Sequence, residues 1–379
     1  MTIVTDDSSF ADGFRKKYQE QAEKIGRFNL AIFGKTGVGK STLINAIFGE
    51  EVAPTGIGKP VTMSEHLYLH REGFLGVLDT RGLEIGVDTD TLIRELGDYV
   101  KRMRQEPLSE QIHVAWYCLR AGDRRFENTE AEFIRRLHEL GLPVIAVITQ
   151  VQMRDGVHHA DAIKLADQIA EFGLPIAGGR PVLVMATADD FVGQPEHGLK
   201  DLLDATFRVA PDGVATALAA AQKIDLDRKR KHADTAIVAA AALAAAAGAV
   251  PVPVADAALL VPIQMGLMAS VSAIYGVKME TATMAATVAT TVATSAGRSA
   301  ATGLIKLIPG AGSIVGGLVS AAVASAFTMA IGYSWAEVCR QLTEGKLKGI
   351  DGVLDTEALR EVFMREFTSW FSKLRPAKA

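Results

Sequence analysis

One eight-residue segment limits the choice of folds more than any other part of this sequence. Residues 34–41 read Gly-Lys-Thr-Gly-Val-Gly-Lys-Ser, a complete G-x-x-x-x-G-K-S pattern. The apolar run 30–33 precedes it, and the helix-like run 42–48 follows it without a proline. Glycines at this spacing let several main-chain N–H groups face a polyphosphate. The order of strand, glycine loop and helix therefore predicts a site for a nucleotide triphosphate.

Two side chains of this loop have charges or oxygens suited to the phosphates and their metal. Lys40 can neutralise the β- and γ-phosphates, and the Ser41 hydroxyl can ligate Mg²⁺. The predicted phosphate-contacting residues are Gly34, Lys35, Thr36, Gly37, Val38, Gly39, Lys40, Ser41 and Thr42.

The composition limits the class of protein. A length of 379 residues predicts two domains, and the net charge of −4, spread over both signs, argues against a nucleic-acid partner. Cys118 and Cys339 lie far apart and form neither a metal motif nor a disulfide framework. The first residues lack a basic segment followed by an apolar one, so no secretory signal is expected. These features favour the cytoplasm.

The first half of the sequence alternates short apolar runs with amphipathic stretches up to about residue 210. This alternation predicts an α/β fold, a mostly parallel sheet with helices on both faces. Together with the glycine loop at 34–41, it indicates the P-loop NTPase type. The short connection 71–73 predicts an antiparallel hairpin at one edge of the sheet. The expected strands lie near 28–33, 64–70, 74–79, 112–119, 143–149 and 181–186, and the expected helices near 40–49, 89–104, 127–140, 160–172 and 197–208.

The second half is dominated by Ala, Val, Gly, Thr and Met beyond Lys231. Its long uncharged runs are separated by Pro251, Pro253 and Asp256, and a run of about 20 residues is long enough to cross a bilayer. We expect an all-α domain of helical hairpins, with Asp256 in a turn. Two alternatives stay open: these helices associate with a membrane, or they form a close-packed bundle. The uncharged runs are 235–255, 257–277, 281–297 and 307–336.

Amphipathic helices are expected at both ends of the sequence, with Asp355 as the N-cap of the second. Either helix could pack on the helical half or bind a partner or a membrane surface. The first apolar stripe is Phe10, Phe14, Tyr18, Ala22 and Ile25, and the second is Leu359, Val362, Phe363, Phe367, Trp370, Phe371 and Leu374. The two predicted domains are a nucleotide-binding domain at 28–210 and a helical-hairpin domain at 211–350, and the two amphipathic helices are expected at 1–27 and 351–379.

Two further segments complete a predicted catalytic and metal site. The apolar run 74–79 ends in Asp79-Thr-Arg-Gly82, where the carboxylate can hold a water on Mg²⁺ and the glycine N–H can reach the γ-phosphate. The Gly/Pro-rich segment 53–62 is long enough to bring Thr62 onto the metal, with Thr55 as the alternative. The predicted metal ligands are Ser41, Thr62 and Asp79, and the predicted catalytic residues are Lys40, Thr62 and Gly82.

Residues 28–190 resemble the translation-factor-related GTP-binding proteins, particularly the Era-like group and the immunity-related (interferon-inducible) GTPases. The resemblance implies GTP as ligand and substrate, GDP as product and Mg²⁺ as cofactor. It also implies that Thr62 belongs to a first switch and Asp79 to Gly82 to a second. The small-residue half resembles the YcjF-type domain of unknown function found behind bacterial G domains, through residues 252–260 and 264–268.

The base-reading motif departs from the family pattern. The family carries Asn/Thr-Lys-x-Asp, whereas this sequence reads Thr149-Gln150-Val151-Gln152. The amide of Gln152 replaces only part of what a carboxylate offers to guanine. The next base-contacting loop is expected at Thr187 and Ala188. GTP is favoured by the order of the motifs, and ATP or mixed use stays open.

Leu83 stands where many related GTPases carry a glutamine that positions the attacking water. Slow intrinsic hydrolysis is therefore expected, unless Arg120, Arg124 or Arg125 acts across a homodimer. The alternative is that these three are solvated surface arginines. Three hypotheses follow: a nucleotide-gated switch coupled to a membrane, a soluble scaffold that dimerises through its G domains, and an ATP-using P-loop enzyme such as a kinase.

Overall fold

The protein consists of two units. The computed structural model describes residues 7–49, 67–70, 72–79, 89–248, 255–295, 321–349 and 352–374. We call Ile25–Asp225 the sheet unit, and Met1–Lys24 together with Leu226–Ala379 the helical unit. The chain passes from the first to the second between Asp225 and Leu226.

The described strands all lie in the sheet unit. They are β1 (Phe28–Phe33), β2 (Leu67–Leu69), β3 (Leu75–Asp79), β4 (Val114–Arg120), β5 (Val144–Thr149), β6 (Met153–Arg154), β7 (Val157–His158) and β8 (Val182–Leu183).

The α-helices, in chain order, begin with α1 of the helical unit. They are α1 (Asp7–Ile25), α2 (Lys40–Phe48), α3 (Thr89–Met103), α4 (Asn128–Glu139), α5 (Ala160–Glu171), α6 (Leu199–Val209), α7 (Ala215–Ala221), α8 (Leu226–Gly248), α9 (Ala255–Tyr275), α10 (Met279–Ser295), α11 (Ala321–Thr343) and α12 (Thr356–Leu374).

The main sheet has the strand order β2-β3-β1-β4-β5-β8. Every neighbouring pair is parallel except β2 and β3, so the antiparallel edge hairpin and the mostly parallel sheet are confirmed. Successive side chains of β4 face opposite sides: Trp116 stacks on Phe48 of α2, and Tyr117 contacts Phe133 of α4. Helices therefore cover both faces, as expected.

Two details beyond β5 differ from the expectation. The strand expected at 181–186 is only two residues long, because Met185 pairs with His197 instead of continuing beside β5. The small hairpin of β6 and β7 was not predicted. Asp155 and Gly156 form its turn with φ of 52° and 77°, and Asp-Gly is a favoured pair for a turn that needs two positive φ angles.

The helical unit is packed through small residues, and α1 belongs to this packing. The Tyr18 hydroxyl of α1 donates to the carbonyl of Val277, at 2.8 Å. A Cβ on Gly332 of α11 would lie 2.7 Å from the Ile237 side chain of α8, so the two helices approach closely. The N-terminal amphipathic helix thus packs on the helical half, the first of its two alternatives.

The C-terminal helix confirms its predicted start and apolar stripe. The Asp355 carboxylate accepts hydrogen bonds from the N–H groups of Glu357 and Ala358, at 3.1 and 3.0 Å. Phe367 packs edge-on against Phe327 of α11. Five stripe residues are buried: Leu359, Val362, Phe363, Phe367 and Phe371.

Asp256 corrects one expectation, because it lies in the first turn of α9 instead of the turn before it. The helix begins at Ala255, one residue before Asp256. Within the described residues, no helix combines the length and the apolar character that crossing a bilayer requires.

Candidate functional site

The loop between β1 and α2 has a backbone that only glycine adopts readily. Gly34, Gly37 and Gly39 have φ of +134°, +83° and +90°. A Cβ on Gly34 would lie 2.3 Å from the carbonyl oxygen of Cys118 on β4, too close for any other residue. The glycines of the motif therefore shape the loop itself, which turns its main chain at the edge where β1 ends.

Lys40 extends from the first turn of α2 back across this loop. Its Nζ donates to the carbonyl oxygens of Gly34, at 2.7 Å, and Lys35, at 3.1 Å, and the residue is only 8% exposed. The ammonium charge therefore lies against the loop backbone, where it can neutralise a phosphate.

The predicted base motif contacts the phosphate loop directly. The hydroxyl of Thr149, at the end of β5, lies within hydrogen-bond distance of the carbonyl oxygens of Val38 and Leu119. The Nε2 of Gln150 donates to the carbonyl oxygen of Gly37, at 3.3 Å. Thr149 and Gln150 thus join the end of β5 to the loop.

The other predicted base contacts are less closely tied to the loop. The side chains of Gln152, Thr187 and Ala188 are exposed. The main-chain carbonyl of Gln152 accepts the N–H of His159, at 2.8 Å, which fixes the backbone of the motif.

The predicted metal ligands are only partly described. Ser41 lies half-buried in the first turn of α2, and Asp79 ends β3, where its Cα pairs with that of Ile32 on β1. Hydroxyl and carboxylate oxygens are the ligand types that Mg²⁺ takes, so this donor set fits the metal. Thr62, the alternative Thr55, Gly82 and Leu83 lie outside the described residues.

An ion pair that the sequence did not indicate anchors the second residue of the loop. The Nζ of Lys35 lies 3.3 Å from Oε1 of Glu130, which is only 2% exposed. Glu130 also accepts the main-chain N–H of Glu127 in a capping box at the start of α4. Burial, followed by the charge of Glu130, raises the pKa of the neighbouring Tyr117. The spacing of Glu127 and Glu130 is a local signal for the capping box, but it does not indicate the contact with Lys35.

The three arginines after β4 have different surroundings. Arg120 pairs with Asp123 at 2.7 Å, and Arg124 pairs with Asp161 at 3.0 Å. Arg125 is exposed and forms no ion pair in the described part of the chain.

A groove of about 480 Å³ adjoins the base motif. Two loops form it: the β6–β7 hairpin and the loop in which Asp189 pairs with Gln194. The Oε1 of Gln194 accepts the N–H of Met153, at 2.8 Å, and so joins the two loops. The lining residues are Met153, Arg154, Asp155, Gly156, Ala188, Asp190, Val192, Gly193, Gln194 and Pro195.

Two family models match the chain in the order expected from the sequence. Residues 29–150 match the model described as a 50S ribosome-binding GTPase, and residues 214–360 match the model of a domain of unknown function, DUF697. The helical half is thereby matched to a domain without a known activity, and the resemblance to immunity-related GTPases stays a prediction.

Individual relatives cover the first half. The chain is 32% identical over 208 residues to "GTPase Era" of Streptomyces coelicolor, covering 52% of this chain and 61% of that protein. It is 23% identical over 147 residues to "Cell division control protein 10" of Saccharomyces cerevisiae, covering 31% and 46%. The chain thus spans less than two thirds of either relative.

Among solved structures, Cdc11 from Saccharomyces cerevisiae aligns at 25% identity, covering 40% of this chain and 65% of that one. Its TM-score is 0.26, which is too low to support an argument about the fold.

Proposed function

We propose that this chain, which joins a domain of the P-loop GTPase family to a DUF697 domain, is a nucleotide-dependent switch that binds GTP with Mg²⁺ and hydrolyses it slowly. The observation that carries the proposal is the loop at 34–41, with three positive-φ glycines and a lysine held across it. The helical unit is the part that we propose responds to the bound nucleotide.

The chain's own residues would bind and orient the triphosphate. Main-chain N–H groups of the loop and the first turn of α2 would donate to phosphate oxygens, and Lys40 would exchange its carbonyl partners for them. Ser41, Thr62 and Asp79 would hold Mg²⁺, which, when bound, neutralises phosphate charge. Leu83 cannot orient water through hydrogen bonds, so slow turnover is expected.

Nucleotide titration tests this proposal. The full chain would be titrated with fluorescently labelled GTP and ATP, with and without Mg²⁺. We expect saturable, Mg²⁺-dependent binding with GTP preferred, and Lys40→Ala should abolish it. Lys200→Ala changes an exposed lysine of the sheet unit and serves as the matched control. If neither nucleotide shows saturable binding to the unaltered chain, the proposal is wrong.

A second candidate is a scaffold that self-associates through its GTPase domain when loaded. The loops beside the base motif expose three apolar side chains: Val157, 66% exposed, Phe191, 97%, and Val192, 54%. Arg125 has a free guanidinium in the described part of the chain and is our candidate for acting in a second copy. Sedimentation with a non-hydrolysable GTP analogue should show a dimer that Phe191→Ser weakens; a monomer in all nucleotide states would exclude it.

The location of the switch forms a separate part of the proposal. We propose a cytoplasmic protein, because Cys118 and Cys339 are both buried free thiols. The outer face of α8 exposes Val238 and Leu243, at 54% and 61%, which favours contact with an apolar surface such as a membrane. Flotation with liposomes in each nucleotide state tests this contact; a chain that stays at the bottom of the gradient in every state excludes it.

A further inference from the structure

The side-chain amide of Gln152 leaves guanine recognition incomplete. The N1–H and the exocyclic amine of guanine are both donors on one edge of the base, and a carboxylate accepts from both. A side-chain amide offers one acceptor oxygen and one donor group, so it satisfies only one of the two. A site that prefers GTP therefore needs a second acceptor close to Gln152.

The groove beside the base motif provides candidates for this acceptor. Met153, which directly follows Gln152, and Ala188, from the next base-contacting loop, both line it. The Nε2 of His197 lies 2.9 Å from the carbonyl oxygen of Val151, inside the base motif. Hydrogen bonds thus join the groove loops to the motif and hold the loop backbone beside it.

Two carboxylates line this groove, those of Asp155 and Asp190. Both are exposed, and neither makes a hydrogen bond or an ion pair within the described parts of the chain. The neighbouring Asp189 differs, because its Oδ1 accepts the N–H groups of Phe191 and Val192, at 3.1 and 3.4 Å. Asp189 therefore holds the loop in shape, and the carboxylate of Asp190 is left for a ligand.

We choose Asp190 because it belongs to the loop that is expected to contact the base. It follows Ala188 by two residues, so their Cα atoms are at most about 7 Å apart. Asp189 and Gln194 exchange both main-chain hydrogen bonds, each of 2.9 Å, which fixes the backbone immediately before Asp190. Asp155 lies at the tip of the other hairpin.

We propose that Asp190 determines guanine specificity, its carboxylate accepting the N1–H and the exocyclic amine that Gln152 satisfies only in part. This inference rests on the proposed binding of GTP. It places the base-reading carboxylate on the loop after β8 instead of the segment after β5.

The affinities for GTP, ITP, XTP and ATP distinguish the contact to N1–H from the contact to the exocyclic amine. ITP lacks the exocyclic amine, XTP carries a carbonyl oxygen in its place, and ATP presents a different edge. We expect the unaltered chain to bind GTP about tenfold more tightly than ITP, the effect of one hydrogen bond to a charged group. Affinities would be measured by competition against a fluorescent guanine nucleotide on the full chain.

Asp190→Asn is the decisive variant, because an asparagine amide can donate to the XTP carbonyl while accepting from N1–H. We expect about tenfold weaker GTP binding and about tenfold stronger XTP binding. Asp155→Asn is the matched control, since it makes the same change in the same groove. It should leave the ratio of GTP to XTP affinity unchanged.

The possible failures are distinguishable. If Asp190→Asn binds GTP, ITP and XTP in the same order as the unaltered chain, the assignment of Asp190 is overturned while nucleotide binding stands. A switch to XTP caused by Asp155→Asn also overturns it. If the unaltered chain binds no nucleotide, the proposed function itself fails. Circular dichroism would show that both variants, which change only exposed loop side chains, keep their fold.

Discussion

The sheet unit and the helical unit each bury a lysine that donates to main-chain carbonyl oxygens, but the two lysines serve different purposes. Lys40 donates to Gly34 and Lys35 in a loop, whereas Lys229, 1% exposed, donates to Ile274 and Tyr275 at the end of α9, at 3.3 and 3.1 Å. A helix C-terminus favours a cation permanently. Carbonyls of a glycine loop can give up the ammonium group to a phosphate. The same chemistry thus suits the proposed phosphate site in one unit and forms an internal anchor in the other.

The two units also differ in what surrounds their closely packed glycines. In the sheet unit, Gly34 is needed for its positive φ and for its approach to the main chain of β4. In the helical unit, a Cβ on Gly332 would meet side chains only, those of Ile237 and Leu267, at 2.7 and 3.0 Å. An alanine at position 34 would overlap main-chain atoms and would also need a positive φ, whereas one at position 332 would overlap only side chains at a helical φ, so equal substitutions should have unequal effects.

The largest effect is expected for Gly34→Ala. A Cβ at 2.3 Å from the Cys118 carbonyl and a φ of +134° should together lower the free energy of unfolding of the sheet unit by about 3–5 kcal/mol. Hydrogen exchange measured peptide by peptide reports each unit separately. Gly37→Ala is the control: it has positive φ but no atom within 4 Å, so about 1 kcal/mol is expected. Equal losses for the two variants would contradict the steric argument.

Lys229→Ala should have the next largest effect and act on the helical unit. It leaves two buried carbonyls without this ammonium group and opens a cavity, so we expect a loss of about 2–4 kcal/mol in exchange protection of α8 and α9. Lys231→Ala, an exposed lysine of the same helix, should change stability by less than about 0.5 kcal/mol. If Lys229→Ala left protection unchanged but abolished nucleotide binding, the contrast between the two lysines would be wrong.

Gly332→Ala should cost less than Gly34→Ala, about 1–2 kcal/mol, because the overlap involves only the side chains of Ile237 and Leu267 and because alanine favours a helix. The measurement is again hydrogen exchange across α8 and α11. Gly266→Ala, in α9 with no atom within 4 Å, should stabilise the helical unit by up to about 1 kcal/mol. A stabilising Gly332→Ala would show that α8 and α11 do not need their close approach.

The smallest expected effect is a pH dependence that differs between the units. Burial lowers the pKa of His113, and the hydrogen bond of this histidine to the Leu108 carbonyl only partly opposes the change. The folded state therefore favours the neutral ring. The contribution of His113 to the free energy of unfolding is fully present above the unfolded-state pKa of about 6.5, and it is lost as the pH falls towards the lowered pKa of the folded state. His113 is 3% exposed, and its Nδ1 accepts the N–H of Asn29. We expect a loss of about 1 kcal/mol in the sheet unit between pH 7.5 and 5.5.

His232 provides the comparison in the helical unit. Its pKa is also lowered by burial, but it is only half-buried, so its unit should depend less on pH. Urea unfolding at both pH values would be compared for the unaltered chain and for His113→Asn. If the variant had the same pH dependence as the unaltered chain, His113 would not be the cause of that dependence.

The sequence allowed prediction where local rules dominate. Alternating runs and turn residues predicted the sheet and its edge hairpin, the glycine spacing predicted the loop, and Asp355 was recognisable as a cap. The Asp155-Gly156 pair is the local signal for the β6–β7 hairpin.

What could not be predicted depends on contacts between distant parts of the chain. Nothing near Lys35 indicates that it pairs with Glu130, and Lys229 lies in a charged run that reads as solvated. The groove at Asp190 needs two loops separated by a helix. The expected contacts of Gln152, Thr187 and Ala188 with a base also stay predictions, since they require the ligand.

The hydrogen bond from Tyr18 to Val277 has a consequence for biosynthesis, because its partners are separated by 259 residues. At about 5–20 residues per second, α1 leaves the ribosome roughly 10–50 s before its docking site exists. The sheet unit is continuous in sequence and can fold during this delay. The apolar face of α1 stays exposed to solvent in the meantime, unless a chaperone binds it. A fragment meant to contain the nucleotide site alone should therefore begin after α1.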